Sequence, residues 1–110
     1  MPIVISIFAI LFGLLHIIAA AAQFKSKDPA VRGSTVMMAC GGIAVACAAI
    51  SHLGGAHPMG WVDALSAAPG GLLICAAAYL NGKRSGSFHP SHHLVRGAIA
   101  ILLVIGIAIW

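Results

Sequence analysis

Four apolar stretches, each close to the length of a membrane-crossing helix, divide this chain, and only short links separate them. A helix needs roughly 20 apolar residues to cross the hydrocarbon core of a bilayer. The stretches run from Pro2 to Phe24, Gly33 to Leu53, Gly60 to Leu80 and His92 to Trp110. The chain of 110 residues is 61% hydrophobic and 7% charged, whereas soluble domains carry about 25% charged residues. A soluble fold of this size leaves much of its surface in water and could not hide so much apolar area. Lipid must solvate a large part of it. The sequence therefore predicts an all-α membrane protein, a four-transmembrane-helix bundle forming one domain over residues 1–110. Short connections make consecutive helices antiparallel neighbours. The first stretch reads as a retained helix and not a signal peptide. A signal peptide begins with a basic segment, and the first Lys here is Lys25, after the apolar run.

Charge supplies a direction. Lys25, Lys27 and Arg32 bracket the first connection, and Lys83, Arg84 and Arg96 bracket the third. The second connection and both termini carry no Lys or Arg. The positive-inside rule counts such residues near span ends, so it predicts the first and third connections inside and both termini outside. The expected location is a bacterial-type cytoplasmic membrane. Trp61 and Trp110 then fall together at the outer interface, where Trp is favoured. Arg32 and Arg96 can snorkel toward headgroups. The net charge of +4 does not point to nucleic acid, because the few basic residues sit in two short links.

Pro69-Gly70-Gly71 interrupts the third stretch. Proline removes one helical hydrogen bond and crowds the preceding turn. Either the helix kinks there, or Trp61–Ser66 forms a separate interfacial helix and the span starts near Ala67. The second choice leaves about 14 residues, short of the hydrocarbon thickness, so the kink is expected.

The two halves share an order of features. Gly13-Leu14-Leu15, Ala19 to Ala22, Lys25-Ser26-Lys27, Pro29 and Val31-Arg32-Gly33 are followed in the second half by Gly71-Leu72-Leu73, Ala76-Ala77-Ala78, Lys83-Arg84, Pro90 and Val95-Arg96-Gly97. This pattern fits two parallel helical-hairpin repeats related by an axis along the membrane normal. Shared membrane composition is the alternative account.

Within lipid, helices meet through small residues that let backbones approach. In the first stretch Ser6, Ala9, Gly13, His16, Ala20 and Gln23 recur at helical spacing, and this stripe is expected to face protein. The second stretch is rich in Gly, Ala, Cys and Ser and is expected at the centre. The fourth, dominated by Ile, Leu and Val, is expected to face lipid. So small a bundle encloses little volume. The second stretch is therefore expected to meet another subunit, as a homo-oligomer or with another membrane protein.

Few residues suggest chemistry. His16 and Gln23 form a candidate intramembrane polar site, since ionisable groups within a span are functional candidates by default. His16 lies nine residues before Lys25, Cys40 eight after Arg32 and Cys75 eight before Lys83. At ~1.5 Å per residue the three share a depth. One imidazole and two thiols could bind Cu(I) or Zn(II). The ordinary reading is that His16 bonds within the bundle and the thiols fill gaps. His52, His57, Met59 and Asp63 form a second candidate metal set in the second connection, against the ordinary reading of an interfacial turn. In the third connection His89, His92 and His93 could titrate, or meet anionic headgroups with the neighbouring Lys and Arg. Otherwise this is a solvated loop with Ser91 capping the fourth helix. His16 and His52 differ in depth by roughly 18 Å, too far to share a haem. No cofactor is expected beyond a possible metal ion. No Ser–His–Asp set, carboxylate pair or phosphate loop is evident, so an enzyme is not expected.

The length and four-span layout are similar to the small multidrug resistance family. Its members depend on a carboxylate in the first helix. The first helix here has none, and His16 is its sole ionisable side chain, so the resemblance carries over architecture and not coupling chemistry. The leading expectation is a non-enzymatic accessory subunit or oligomeric scaffold. Alternatives are a small transporter or channel for a cation or proton using His16, and a metal-handling or redox protein using His16, Cys40 and Cys75.

Overall fold

The computed structural model describes residues 2–57, 59–86 and 88–110. Among the described residues there are four helices and no strands: α1 (Pro2–Gln23), α2 (Pro29–Leu53), α3 (Gly60–Ser85) and α4 (Pro90–Ile109). All four are long and apolar enough to cross a membrane.

Their ends differ from the expected bounds for local reasons. Asp28 is extended and its carboxylate accepts the Ala30 N–H at 2.9 Å, with Pro29 opening the helix. That cap starts α2 before Gly33, the boundary expected from hydropathy, because a proline at the first helical position loses nothing. α3 continues past Leu80 to Ser85, so Lys83 and Arg84 are helical and not in a loop. Gly86, at φ 68°, ends it in the left-handed conformation that glycine adopts without strain. α4 begins at Pro90 with His89 as its cap residue and no side-chain cap bond. Ser91 lies inside the helix, so the expected Ser91 cap does not form. α3 also runs unbroken through Pro69. A separate helix over 61–66 is therefore not formed.

The helices pack in a ring. α2 lies between α1 and α3, and α4 packs on α3 and touches α1. The buried residues of α1 are Ser6, Ala9, Gly13, His16 and Ala20, the small and polar stripe expected from spacing. Two reciprocal glycine contacts set the closest approaches. A Cβ on Gly13 would stand 2.6 Å from the Gly42 carbonyl oxygen, and one on Gly42 would stand 2.6 Å from that of Gly13. Gly41 and Gly70 repeat the arrangement between α2 and α3, at 2.6 and 2.8 Å. Backbone therefore meets backbone on both sides of α2, which only glycine permits.

Burial confirms α4 as the outer helix and amends the expectation for α2. The most apolar window of α4 is 11% buried, against 39% for α2 and 44% for α3. The centre is shared by α2 and α3. The core is mostly alanine, with Val45, Ile74, Ile107 and Met38 as its larger members. Large side chains such as Phe8, Leu15, Ile18, Leu72 and Leu102 point outward, a pattern that water would oppose and hydrocarbon does not.

The particle measures 43 Å along its longest axis, more than the ~30 Å hydrocarbon thickness. One end gathers the α1–α2 and α3–α4 connections and is here called the basic end. The other gathers both chain termini and the α2–α3 connection and is called the terminal end.

Candidate functional site

The polar side chains fall in three tiers. At the terminal end, Asp63 sits in the first turn of α3, where a carboxylate complements the helix dipole. It is 1% exposed. The last turn of α2 and the connection that follows it supply its partners. Ser51 Oγ donates to Asp63 Oδ1 at 2.8 Å, and His57 Nδ1 stands 2.7 Å from the same oxygen. His52 Nδ1 lies 3.4 Å from Oδ2. Since a carboxylate only accepts, the His57 proton must sit on Nδ1. His52 Nε2 and Asp63 Oδ2 are buried without hydrogen-bond partners. Gly60 makes room for this cluster. A Cβ there would collide with the Ile107 carbonyl of α4 and stand 3.2 Å from His52 Cε1.

His52, His57 and Asp63 thus converge, as their spacing suggested, and Ser51 joins them unforeseen. Met59 does not. Its sulfur accepts from the Trp61 indole N–H at 3.1 Å. Ser51, His57 and Asp63 do meet, although no Ser–His–Asp set was expected. They make no catalytic relay. The hydroxyl lies 3.2 Å from His57 Nδ1, the nitrogen that also faces the carboxylate. A relay needs the nucleophile and the carboxylate on opposite ring nitrogens.

In the middle tier, His16 is 5% exposed. Its Nδ1 lies 2.7 Å from the Phe12 carbonyl oxygen one turn earlier, so Nδ1 is the donor. The ring packs on Phe12 with centroids 4.4 Å apart. Its own helix thus satisfies this nitrogen. Cys40 is exposed on the outside of α2, and Cys75 is half-buried on α3. Among the described residues no group of three or more His, Cys, Asp or Glu is arranged to hold a metal ion. The Phe12 carbonyl occupies His16 Nδ1, and the imidazoles of His52 and His57 turn Nδ1 toward Asp63.

At the basic end, Gln23 joins a network that ties three helices. Asn81 Nδ2 donates to Gln23 Oε1 at 3.0 Å, and Ser34 Oγ donates to Asn81 Oδ1 at 2.5 Å. Arg84 donates to Ser34 Oγ at 3.3 Å and to the Ala30 carbonyl. Gln23 therefore pairs with Asn81 on α3, two turns along α1 from His16. Sequence reading missed Asn81 because the third span was ended at Leu80, and it passed over Ser34 as one of many small residues on α2. Helical periodicity continued past Leu80 would have kept Asn81 on the helix.

Beside this network a cavity of about 550 Å³ opens at the basic end. Arg84, Arg96, His89, His92 and His93 line it together with Gln23 and Asn81. His93 is held by stacking on Phe88, centroids 4.8 Å apart, with Tyr79 edge-on to Phe88 at 5.5 Å. Lys83 Nζ lies 5.2 Å from the Tyr79 ring centre, within cation–π range. Lys25 and Lys27 are exposed, and Arg32 Nε donates to the Ser26 carbonyl at 3.0 Å. Among the described residues no Lys or Arg forms an ion pair; both ion pairs lie at the terminal end, on Asp63. Trp61 and Trp110 are exposed at that terminal end.

No protein-family model, curated protein or solved structure matches this chain. Function is therefore argued from geometry alone. One more feature bears on it. A groove of about 430 Å³ runs between α3 and α4, almost purely apolar, with Ala68, Gly71, Cys75, Gly97 and Ala100 on its walls. A Cβ on Gly97 would meet nothing within 4 Å. The groove presents small residues to the outside, unlike the closed seams beside α2.

Proposed function

We propose that this chain is a multi-pass membrane protein acting as a small accessory subunit or scaffold, and that the α3–α4 groove receives a transmembrane helix of a partner or a second copy. The basic connections lie inside and both termini outside. One observation carries the reading. Small residues from two adjacent helices, flanked by Leu72, Ile101, Val104 and Ile105, line an apolar groove that none of the described residues fills. Between helices in lipid, association rests on close packing over small residues. Acyl chains can coat such a groove, but a helix bearing its own small residues gains contacts that disordered tails do not. The contact surface is thus α3–α4, in place of the α2 face suggested by composition. The seams of α2 toward α1 and α3 are already occupied within the chain.

The test is assembly state after mild solubilisation, measured as the mass of the protein–detergent complex. The native chain should travel as a homo-oligomer or with a fixed partner. Gly97→Leu fills the groove and should release a monomer that keeps its helicity. A native chain that is monomeric and partnerless, or a Gly97→Leu variant that assembles normally, overturns the proposal.

A further inference from the structure

The cavity at the basic end is built unlike the rest of the molecule. It combines two guanidinium groups, three imidazoles and two side-chain amides around one space of about 550 Å³. Arg84 is held in place by neutral partners, the Ala30 carbonyl and the Ser34 hydroxyl, so its charge is not cancelled. The one acid on the rim, Asp28, spends an oxygen on the Ala30 N–H. α4 adds a second contribution. Its N-terminus opens beside the cavity with no side-chain cap and no acidic residue in its first turn. The positive end of that helix dipole therefore lies beside the cavity.

We infer that this cavity is a binding site for a phosphate group, held by Arg84 and Arg96 beside the start of α4. Guanidinium groups match phosphate oxygens two at a time, and a helix N-terminus complements the same charge. The imidazoles of His92 and His93 supply further donors. The cavity opens beyond the apolar stretch at an end of the 43 Å particle, at the depth of lipid headgroups. The phosphate can belong to an anionic lipid or to a soluble phosphorylated molecule. Both present the same oxygens to the same donors.

The experiment uses the full chain in phosphatidylcholine nanodiscs, titrated with inorganic phosphate and followed by phosphorus-31 NMR. A parallel arm measures retention of phosphatidic acid by native mass spectrometry. Saturable binding in either arm is expected; the phosphate arm alone marks a soluble source, the lipid arm alone a headgroup. Arg96→Gln leaves the Arg84 bonds to α2 untouched and should weaken binding by about tenfold, the worth of one charge-assisted bond. The paired variant Lys25→Gln/Lys27→Gln removes charge from the same end outside the cavity and should leave binding within twofold, roughly the factor from a weakly screened distant charge. Helicity and thermal unfolding of each variant distinguish lost binding from lost fold. The inference is overturned if neither arm saturates. It is equally overturned if Arg96→Gln binds like the native chain, or if the lysine pair weakens binding as much as Arg96→Gln.

Discussion

The two hairpins of this molecule pack differently. In the first, α1 and α2 close until Gly13 and Gly42 touch backbone to backbone. In the second, Gly71 faces Ala100, whose methyl group is 3.4 Å from a Cβ built on Gly71. One methyl group in place of a hydrogen is enough to hold the backbones apart. The first hairpin has a sealed seam and the second an open groove. Apolar content does not explain this, because both hairpins are apolar throughout. Where lipid competes equally for every large side chain, the smallest residues decide which helices meet.

That account breaks first at Gly42. Leu in its place has no direction to move, with the Gly13 carbonyl at 2.6 Å and Ile17 Cγ1 at 2.9 Å from the first added carbon. Gly42→Leu should cost about 3 kcal/mol, at the upper end of overpacking penalties. Titration with a denaturing detergent, followed by circular dichroism, reads the shift. A variant as stable as the native chain would mean that the seam contributes little.

A smaller effect is expected at the terminal end, where the closure of α2 on α3 depends on one carboxylate. Asp63→Ala deprives Ser51 and His57 of their shared acceptor and leaves His52 facing an empty space. Removing a buried acceptor strands its donors, at about 2 kcal/mol here. The same detergent titration should register this, together with faster hydrogen exchange in residues 51–63. Unchanged exchange there would show that the Gly41–Gly70 contact alone holds the two helices.

The parts of this structure that were legible in the sequence follow from the same physics. Span count came from hydropathy, and the buried face of α1 from the spacing of Ser6, Ala9, Gly13, His16 and Ala20. The convergence of His52 and His57 on Asp63 followed from their place in one short connection. Helix ends were less legible. Hydropathy weights Arg32, Asn81 and Lys83 against a span, yet local rules such as the Asp28 cap and the Gly86 stop extend the helices through them. The cavity at the basic end was hidden for that reason, since Arg84 and Asn81 had been assigned to a loop or its edge. His16 shows the opposite case. Its depth suggested chemistry, but only coordinates reveal that the Phe12 carbonyl already holds its ring. Pairing of Gly41 with Gly70 also lay beyond the sequence, because small residues cover most faces of α2 and composition does not choose among them.

The smallest predicted change in stability is the sharpest test of the comparison. A Cβ on Gly97 meets nothing within 4 Å. Gly97→Leu should therefore alter the stability of the isolated chain by less than about 0.5 kcal/mol, as surface substitutions do. Gly42→Leu makes the same chemical change at a sealed seam and should cost several times more. If the two variants were equally destabilised, α4 would pack as closely as α2 and the groove would close in the membrane. If Gly97→Leu left the fold intact and changed only association, small residues in this chain would have two separable roles. Those beside α2 would hold the monomer together, and those along α3 and α4 would be reserved for a helix from outside.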